Sequence, residues 1–353
     1  MLTHTRPRQP AHERDPGRSP NGELLAAFDR YQQRHGRTPG TRGRYQRVLR
    51  HYLTWLDDNN KHATAATAVD IDQYLDHWQQ RFTNHYQRSP ATNSYRGQIN
   101  ALRSFYRHLD QLELLHTHDG KPLRDPTRWL QAPTTHPADN DWLHQPEDQA
   151  LRQCPGPLQD RFTVCLLRTT GIRVSEAASV TRADLDLTPG RETLSIRKSK
   201  TPAGRRTIPL LPDFLPLLTD WLAHLDQQGL TAASTPLLAS RSGGALTHAY
   251  IWRIVKRHAH NAGIRPTTCT CGADQPPHQP GCPRNQNGHN LSTISPHTLR
   301  RTYASHLLNQ GLRLEIVSKL LGHANTTITQ HHYAQLLDHT TRQELLHALQ
   351  TTH

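Results

Sequence analysis

Apolar residues recur at helical spacing along most of this chain. Over 41–56, Tyr45, Val48, Leu49, Tyr52, Trp55 and Leu56 share one face, which predicts an amphipathic helix. Arg42, Arg44, Arg47 and Arg50 fall largely on its other sides. A further helix is predicted over about 69–82, with Ile71, Tyr74, Leu75, Trp78 and Phe82 inward. Another is expected to begin at Ser89-Pro90, a suitable N-cap and first-turn pair. It continues through Tyr95, Ile99, Leu102, Tyr106 and Leu109 and leaves Arg96, Arg103 and Arg107 to its polar side. A basic helix face is ordinarily a solvated one. Its repetition on successive helices is what suggests a grip on a polyanion.

Before these helices, residues 1–20 are rich in Arg, Pro and His with almost no apolar content, and predict a disordered arm. After them, periodicity lapses over 112–140, where Asp125-Pro126 and Ala132-Pro133 act as breakers of a linker. A helical domain over 21–111 and a second domain over 141–353 follow from this division. In the second, Phe162, Val164, Leu166 and Leu167 predict a helix over 157–170 that ends at Gly171. The segments 193–197 and 205–210 read as short strands joined by a turn, Lys198 to Gly204. Helices are expected again at 212–227, 247–261, 296–310, 313–321, 326–335 and 340–350. The predicted fold class is mainly α: an N-terminal helical domain, then a mixed α/β, mostly helical domain with a small antiparallel sheet.

Composition narrows the function. Lys and Arg number 42 against 29 Asp and Glu, a formal charge of +13 with 26 histidines uncounted. That excess favours a polyanionic partner, although a basic protein without a nucleic-acid role shares it. No run approaches the roughly 20 apolar residues of a membrane span, and no secretory signal is visible. Five unevenly placed cysteines do not form an extracellular disulfide framework. A soluble cytoplasmic protein is the expectation, with no membrane partner.

Six polar residues in the second domain carry candidate chemistry: Arg173, Lys200, His297, Arg300, His323 and Tyr333. Cleaving a phosphodiester by side-chain attack needs fixed positive donors for the non-bridging oxygens, an acceptor for the nucleophile's proton, and a donor for the leaving oxygen. Arg173 follows Gly171 where the chain restarts as a helix, with Glu176 three residues on to orient it; alone, this is an ordinary Arg-Glu pair. His297 and Arg300 stand at i, i+3 after Pro296, pairing a proton acceptor with a bidentate phosphate donor. His323 follows Leu321-Gly322, past a helix end. Tyr333 lies ten residues on. A lone helical Tyr is usually a packing residue, and with a pKa near 10 it needs cations and a base beside it to attack.

In order and local setting these residues resemble the motifs of the tyrosine recombinase (phage integrase) family. The likeness rests on Gly171 to Glu176, His297 to Arg300, Leu321-Gly322-His323 and Tyr333, and is closest over Pro296 to Leu308. It spans roughly 20–340 and makes the N-terminal helices similar to the family's core-binding domain. The resemblance implies that Tyr333 attacks DNA to form a 3′-phosphotyrosyl link and release a 5′-hydroxyl. It implies that Arg173 and Arg300 hold the scissile phosphate, His297 handles the nucleophile's proton and His323 bonds a phosphate oxygen. Lys200, with Lys198 as a nearby rival, would protonate the leaving oxygen. It also implies catalysis without ATP, metal or other cofactor, double-stranded DNA as partner, and a homo-tetramer on two recombining sites. A C-terminal helix, at 340–350 with Leu345, Leu346 and Leu349, would dock on a neighbour or pack on its own domain. Accessory DNA-bending proteins are unspecified.

The stretch 265–295 is longer than the family pattern prepares for and reads as an insertion. It holds Cys269, Cys271, His278 and Cys282, with His289 beyond: four candidate ligands for a structural zinc in a loop with too little apolar content to fold alone. The alternative is a surface insertion with free thiols. Two other functions use parts of the same pattern, a type IB-like topoisomerase acting on one duplex and a catalytically silent sequence-specific DNA-binding protein.

Overall fold

The computed structural model describes residues 19–117, 119–133, 141–199, 202–267 and 291–323. The chain divides into two compact units, Met1–His136 and Pro137–His353.

The described residues of the first unit form four long helices, α1 (Pro20–Arg34), α2 (Pro39–Asp58), α3 (Ala68–Tyr86) and α4 (Thr92–Gln111). Three begin where the sequence supplies a cap. The side chains of Ser19 and Thr38 accept from backbone N–H groups of the first turn, each with a proline following, and Thr67 forms a capping box with Asp70. The fourth starts later than Ser89-Pro90 suggests. Ala91 is still extended, with ψ 148, and leaves α4 without a side-chain cap. The helices bury an aromatic-rich core that includes Phe28, Tyr52, Tyr74, Phe105 and Tyr106. Within it the hydroxyls of Tyr52 and Tyr106 share a hydrogen bond of 2.5 Å, so neither polar tip is stranded. In the stretch expected as linker, Leu115 and Leu130 are buried in this same core, and Arg103 donates to the Leu130 carbonyl.

The second unit is built around α6 (Leu158–Thr170), preceded by α5 (Gln145–Gln153) and followed by the one-turn α7 (Val174–Ala177). Next come strands β1 (Leu185–Asp186), β2 (Thr193–Ile196) and β3 (Arg206–Pro209), then helices α8 (Leu215–Gln227), α9 (His248–Asn261), α10 (Pro296–Asn309) and α11 (Leu314–Leu321). The sheet is antiparallel in the order β1-β2-β3, with Leu194 opposite Ile208 and Ile196 opposite Arg206. Phe162 of α6 stacks on Trp221 of α8 with ring centroids 5.1 Å apart, inside a core that also takes Leu194, Ile208, Ile254 and Leu299. A second, smaller cluster joins Tyr303, Leu307 and Leu308 of α10 to Val317 and Leu321 of α11.

Besides α1, two elements were silent in the sequence. Strand β1 is only two residues long. Helix α5 has a single fully buried large apolar residue, Leu151. Ion pairs hold α5 instead: Arg168 of α6 grips Asp148 with two donors, and Arg265 does the same to Glu147. Among the described residues, no helix is long and apolar enough to cross a membrane.

Candidate active site

Helix α6 ends at Gly171, which has φ +60. A Cβ there would stand 2.3 Å from Cδ1 of Tyr303. Glycine is therefore demanded both by the left-handed backbone and by the close approach of α10. The turn presents Arg173 as the residue before α7, half-buried, and the Gly171 carbonyl accepts from Arg300 Nη1 at 2.7 Å. Helix α10 starts on a Ser295 cap with Pro296 in its first turn, as the sequence predicts. Arg300 is 6% exposed on its inner face, whereas His297 stands open to solvent one turn earlier.

The organising centre is the C-terminus of α11. The last carbonyls of a helix have no partner within it and carry the negative end of its dipole. Three arginines from three different elements serve consecutive carbonyls here. Arg206 Nε donates to Leu320 O at 2.5 Å, Arg300 Nη2 to Leu321 O at 2.5 Å, and Arg173 Nη2 to Gly322 O at 3.1 Å. Gly322 caps the helix at φ +66, and His323, half-buried, follows with its N–H donating to Ser318 O at 3.1 Å. The carbonyls are satisfied, and two guanidinium groups and one histidine expected at the site are brought to one place.

Glu176 fixes the arginines from the other side. It is 2% exposed and accepts four bonds: from the Arg173 N–H at 3.0 Å, Arg173 Nη1 at 2.8 Å, Arg206 Nη2 at 3.0 Å and the Ser199 hydroxyl at 3.0 Å. Burial alone would raise the Glu176 carboxyl, but donation from Arg206 and then from the Arg173 backbone overcomes it and holds the group at about 2. It is a permanent carboxylate and no proton carrier. His297 is shifted downward. Desolvation of its inner side lowers its pKa first, and the charges of Arg300, Arg301 and Arg173 lower it further against a weaker opposing effect of Asp141. The imidazole is thus held neutral, ready to accept a proton.

Arg173, Arg300 and His323 therefore gather around the end of α11 with Glu176 behind them, and His297 lies close enough for the charges of Arg300 and Arg173 to act on it. Lys200 and Tyr333 lie outside the described residues, as do the helices expected at 326–335 and 340–350. Cys269, Cys271, His278, Cys282 and His289 also lie outside them. The insertion's flanks are described, and they form a tied neck. Thr267 N–H donates to Leu291 O, and Thr293 N–H to Arg265 O, around a Pro266–Ser292 bridge; Lys256 Nζ donates to Ser292 O at 2.6 Å. Among the described residues, no group of three or more His, Cys, Asp or Glu is placed to hold a metal. Cys154 and Cys165 are free thiols, and burial pushes Cys165 up to about 11, as suits a packing residue.

Arg206 escaped the sequence reading, yet a signal was there. On β3, Ile208 is buried and Thr207 and Pro209 are exposed. Alternation puts Arg206 on the same face as Ile208 and Leu210. A guanidinium on an apolar face must find partners.

In the first unit, the basic positions separate into two kinds. Arg42 is committed to Asp29 through two bonds, and Arg103 to a backbone carbonyl. Arg44, Arg47 and Arg50 are exposed on α2. Burial lowers the His51 pKa, and the charges of Arg81, Arg50 and Arg47 add to it, so these three lie near one another across α2 and α3.

Two family models match the chain. The phage integrase family covers residues 144–340, more than half of the chain, and the N-terminal SAM-like domain of phage integrases covers residues 25–113. The tyrosine recombinase XerC of Pelobacter propionicus is 26% identical over 311 residues, spanning 85% of this chain and 86% of that protein. Among solved structures, the XerH site-specific recombinase bound to palindromic difH substrate matches with a TM-score of 0.62 at 16% identity, over 93% of this chain and 84% of that one. A lambda integrase tetramer bound to a Holliday junction matches with a TM-score of 0.61 at 17% identity, over 88% of this chain and 76% of that one.

Proposed function

The chain belongs to the phage integrase family and is a tyrosine-type site-specific DNA recombinase, and on that premise we propose the role of each residue in the strand transfer. Tyr333 attacks the scissile phosphorus and its phenolic proton passes to neutral His297. The bond from phosphorus to the 5′-oxygen breaks, and Lys200 protonates that oxygen. The 3′-phosphate remains esterified to Tyr333, so the phosphodiester's energy is kept. A 5′-hydroxyl from a second duplex then reverses the steps and rejoins the strand without ATP. Arg173, Arg300 and His323 donate to the non-bridging oxygens and replace the metal that many nucleases use.

The observation that carries this reading is the convergence of Arg173 and Arg300 on adjacent carbonyls at the end of α11, one residue from His323. Guanidinium groups held on backbone carbonyls are preorganised and cost little reorganisation when charge develops on a phosphate. In the first unit, exposed Arg44, Arg47, Arg50 and Arg81 supply phosphate contacts to double-stranded DNA. The working assembly is a homo-tetramer on two duplexes, consistent with the lambda integrase tetramer among the fold's neighbours. The cysteine-bearing insertion is proposed to bind a structural zinc through Cys269, Cys271, His278 and Cys282. Its support is the tied neck, which brings the insertion's two ends together.

The test is a covalent protein–DNA adduct on nicked duplexes carrying the sequences that flank the gene, resolved on a denaturing gel with and without EDTA. Wild type should form an adduct that EDTA does not prevent and Tyr333→Phe should form none, while about one equivalent of zinc is released on thiol modification. An adduct that survives Tyr333→Phe would remove that residue from the mechanism. Relaxation of supercoiled DNA without a defined site, and no exchange between paired sites, would move the protein to the topoisomerase reading.

A further inference from the structure

Lys200 lies between β2 and β3, the two strands of a hairpin whose first β3 residue is Arg206. The Arg206 side chain is 4% exposed. Its three nitrogens go to three different places: Nε to Leu320 O on α11, Nη1 to Gly204 O within the hairpin at 2.7 Å, and Nη2 to Glu176 at 3.0 Å. Two further observations mark the same junction. The Ser199 hydroxyl, next to Lys200 in sequence, donates to Glu176 Oε1 at 3.0 Å. A Cβ on Gly322 would stand 2.8 Å from Arg206 Nη1, 3.0 Å from Gly204 Cα and 3.2 Å from Ala203 O. The hairpin approaches the end of α11 as closely as a residue without a side chain permits.

We propose that Arg206 is the positioning residue for the leaving-group acid: by bonding α11, Glu176 and the hairpin's own backbone at once, it docks the Lys200-bearing hairpin beside the Arg173 and Arg300 clamp. This rests on the assignment of Lys200 as the acid. The physical reason is the guanidinium's fixed fork. A buried cation must keep its partners, because leaving them unpaired is costly. With partners on three elements, any withdrawal of the hairpin from α11 breaks bonds to a buried charge. Arg173 has bonds of its own besides this lock, two to Glu176 and one to Gly322, and Glu176 keeps Arg173 and Ser199 as donors when Arg206 is lost. Loss of Arg206 should then remove the acid and spare the clamp.

The prediction separates positioning from general framework. Wild type, Lys200→Ala, Arg206→Gln and Arg206→Lys are compared in single-turnover adduct formation, on the duplex that wild type cleaves, with either oxygen or sulfur at the 5′-bridging position. A thiol has a pKa near 8.5 and leaves as the anion, so it needs no acid. On oxygen DNA, Arg206→Gln should slow cleavage by about 10²-fold, the lower end of a general-acid contribution, with DNA binding retained. On sulfur DNA both Lys200→Ala and Arg206→Gln should recover to within about tenfold of wild type. Arg206→Lys, which keeps the charge and loses the fork, should fall between. If Lys200→Ala recovers on sulfur and Arg206→Gln stays slow, Arg206 is framework and the proposal is overturned. If Lys200→Ala does not recover, the assignment of the acid has failed instead. Should Arg206→Gln melt below the assay temperature, Ser199→Ala carries the comparison, with a smaller oxygen-specific loss expected and an equal loss on both DNAs overturning the proposal.

Discussion

The two units place their arginines in opposite ways. In the first, the aromatic core is closed by helices whose exposed cations, Arg44, Arg47 and Arg50, stand in solvent. In the second, Arg300 and the side chain of Arg206 are buried and tied to backbone carbonyls and to one carboxylate. An exposed cation on a long stem attracts any phosphate and adapts to it, which suits binding along a duplex. A buried guanidinium on fixed carbonyls holds one geometry before substrate arrives, which suits a reacting phosphate. Residue type is the same in both; burial and partners divide affinity from chemistry.

That division is most exposed to failure at Arg300. Arg300→Ala removes the proposed phosphate donor and strands the Gly171 and Leu321 carbonyls. Adduct formation should fall by roughly 10² to 10³-fold, about 3–4 kcal/mol of transition-state stabilisation. Equilibrium DNA binding should change far less, and a binding loss as large as the rate loss, in parallel gel-shift and single-turnover assays, would erase the contrast between the units.

A smaller effect sharpens the chemical side. Because the His297 pKa lies below the usual imidazole value, the ring is neutral, and able to accept a proton, at pH values where an ordinary histidine is charged. The acid limb of the cleavage rate should therefore lie below pH 6.5. Arg301→Gln removes one of the charges that depress it and frees Asp141, its partner at 2.8 Å, which acts in the opposite sense. The limb should then move to higher pH, and an unmoved limb would take His297 out of the proton path.

The smallest effect is on the binding side. Arg47→Ala and Arg50→Ala should each weaken binding modestly and reduce the slope of log K against log salt by about one. Cleavage at saturating protein should stay near wild type. A change in saturated rate without a change in salt slope would place these cations in the chemistry.

Much of the site was legible because its demands are local. Ser295-Pro296 sets the start of α10, and i, i+3 spacing then puts His297 and Arg300 one turn apart whatever surrounds them. Gly171 and Gly322 announced two helix ends, and both are left-handed caps. Helices α2, α6 and α9 followed their apolar stripes. The elements that escaped lack that kind of signal. Helix α5 is held by Asp148 and Glu147 pairing with Arg168 and Arg265, which are distant in sequence. The α4 start depended on the backbone of Ala91, and β1 is too short to show alternation.

The sequence by itself therefore determined most of the helices, the order of the candidate residues and the kind of chemistry they can perform, because periodicity, caps and side-chain type act within a few residues. Only the tertiary structure decided which arginine does what. Arg42 and Arg103 look like Arg47 and Arg50 in the sequence, yet they are spent on Asp29 and a carbonyl. Arg206 reads in the sequence as an ordinary residue of a short strand and proves to join the β2–β3 hairpin to α11 and Glu176. A guanidinium's role is set by which acceptors lie within about 3 Å of it, and those acceptors come from chain segments that only folding brings together.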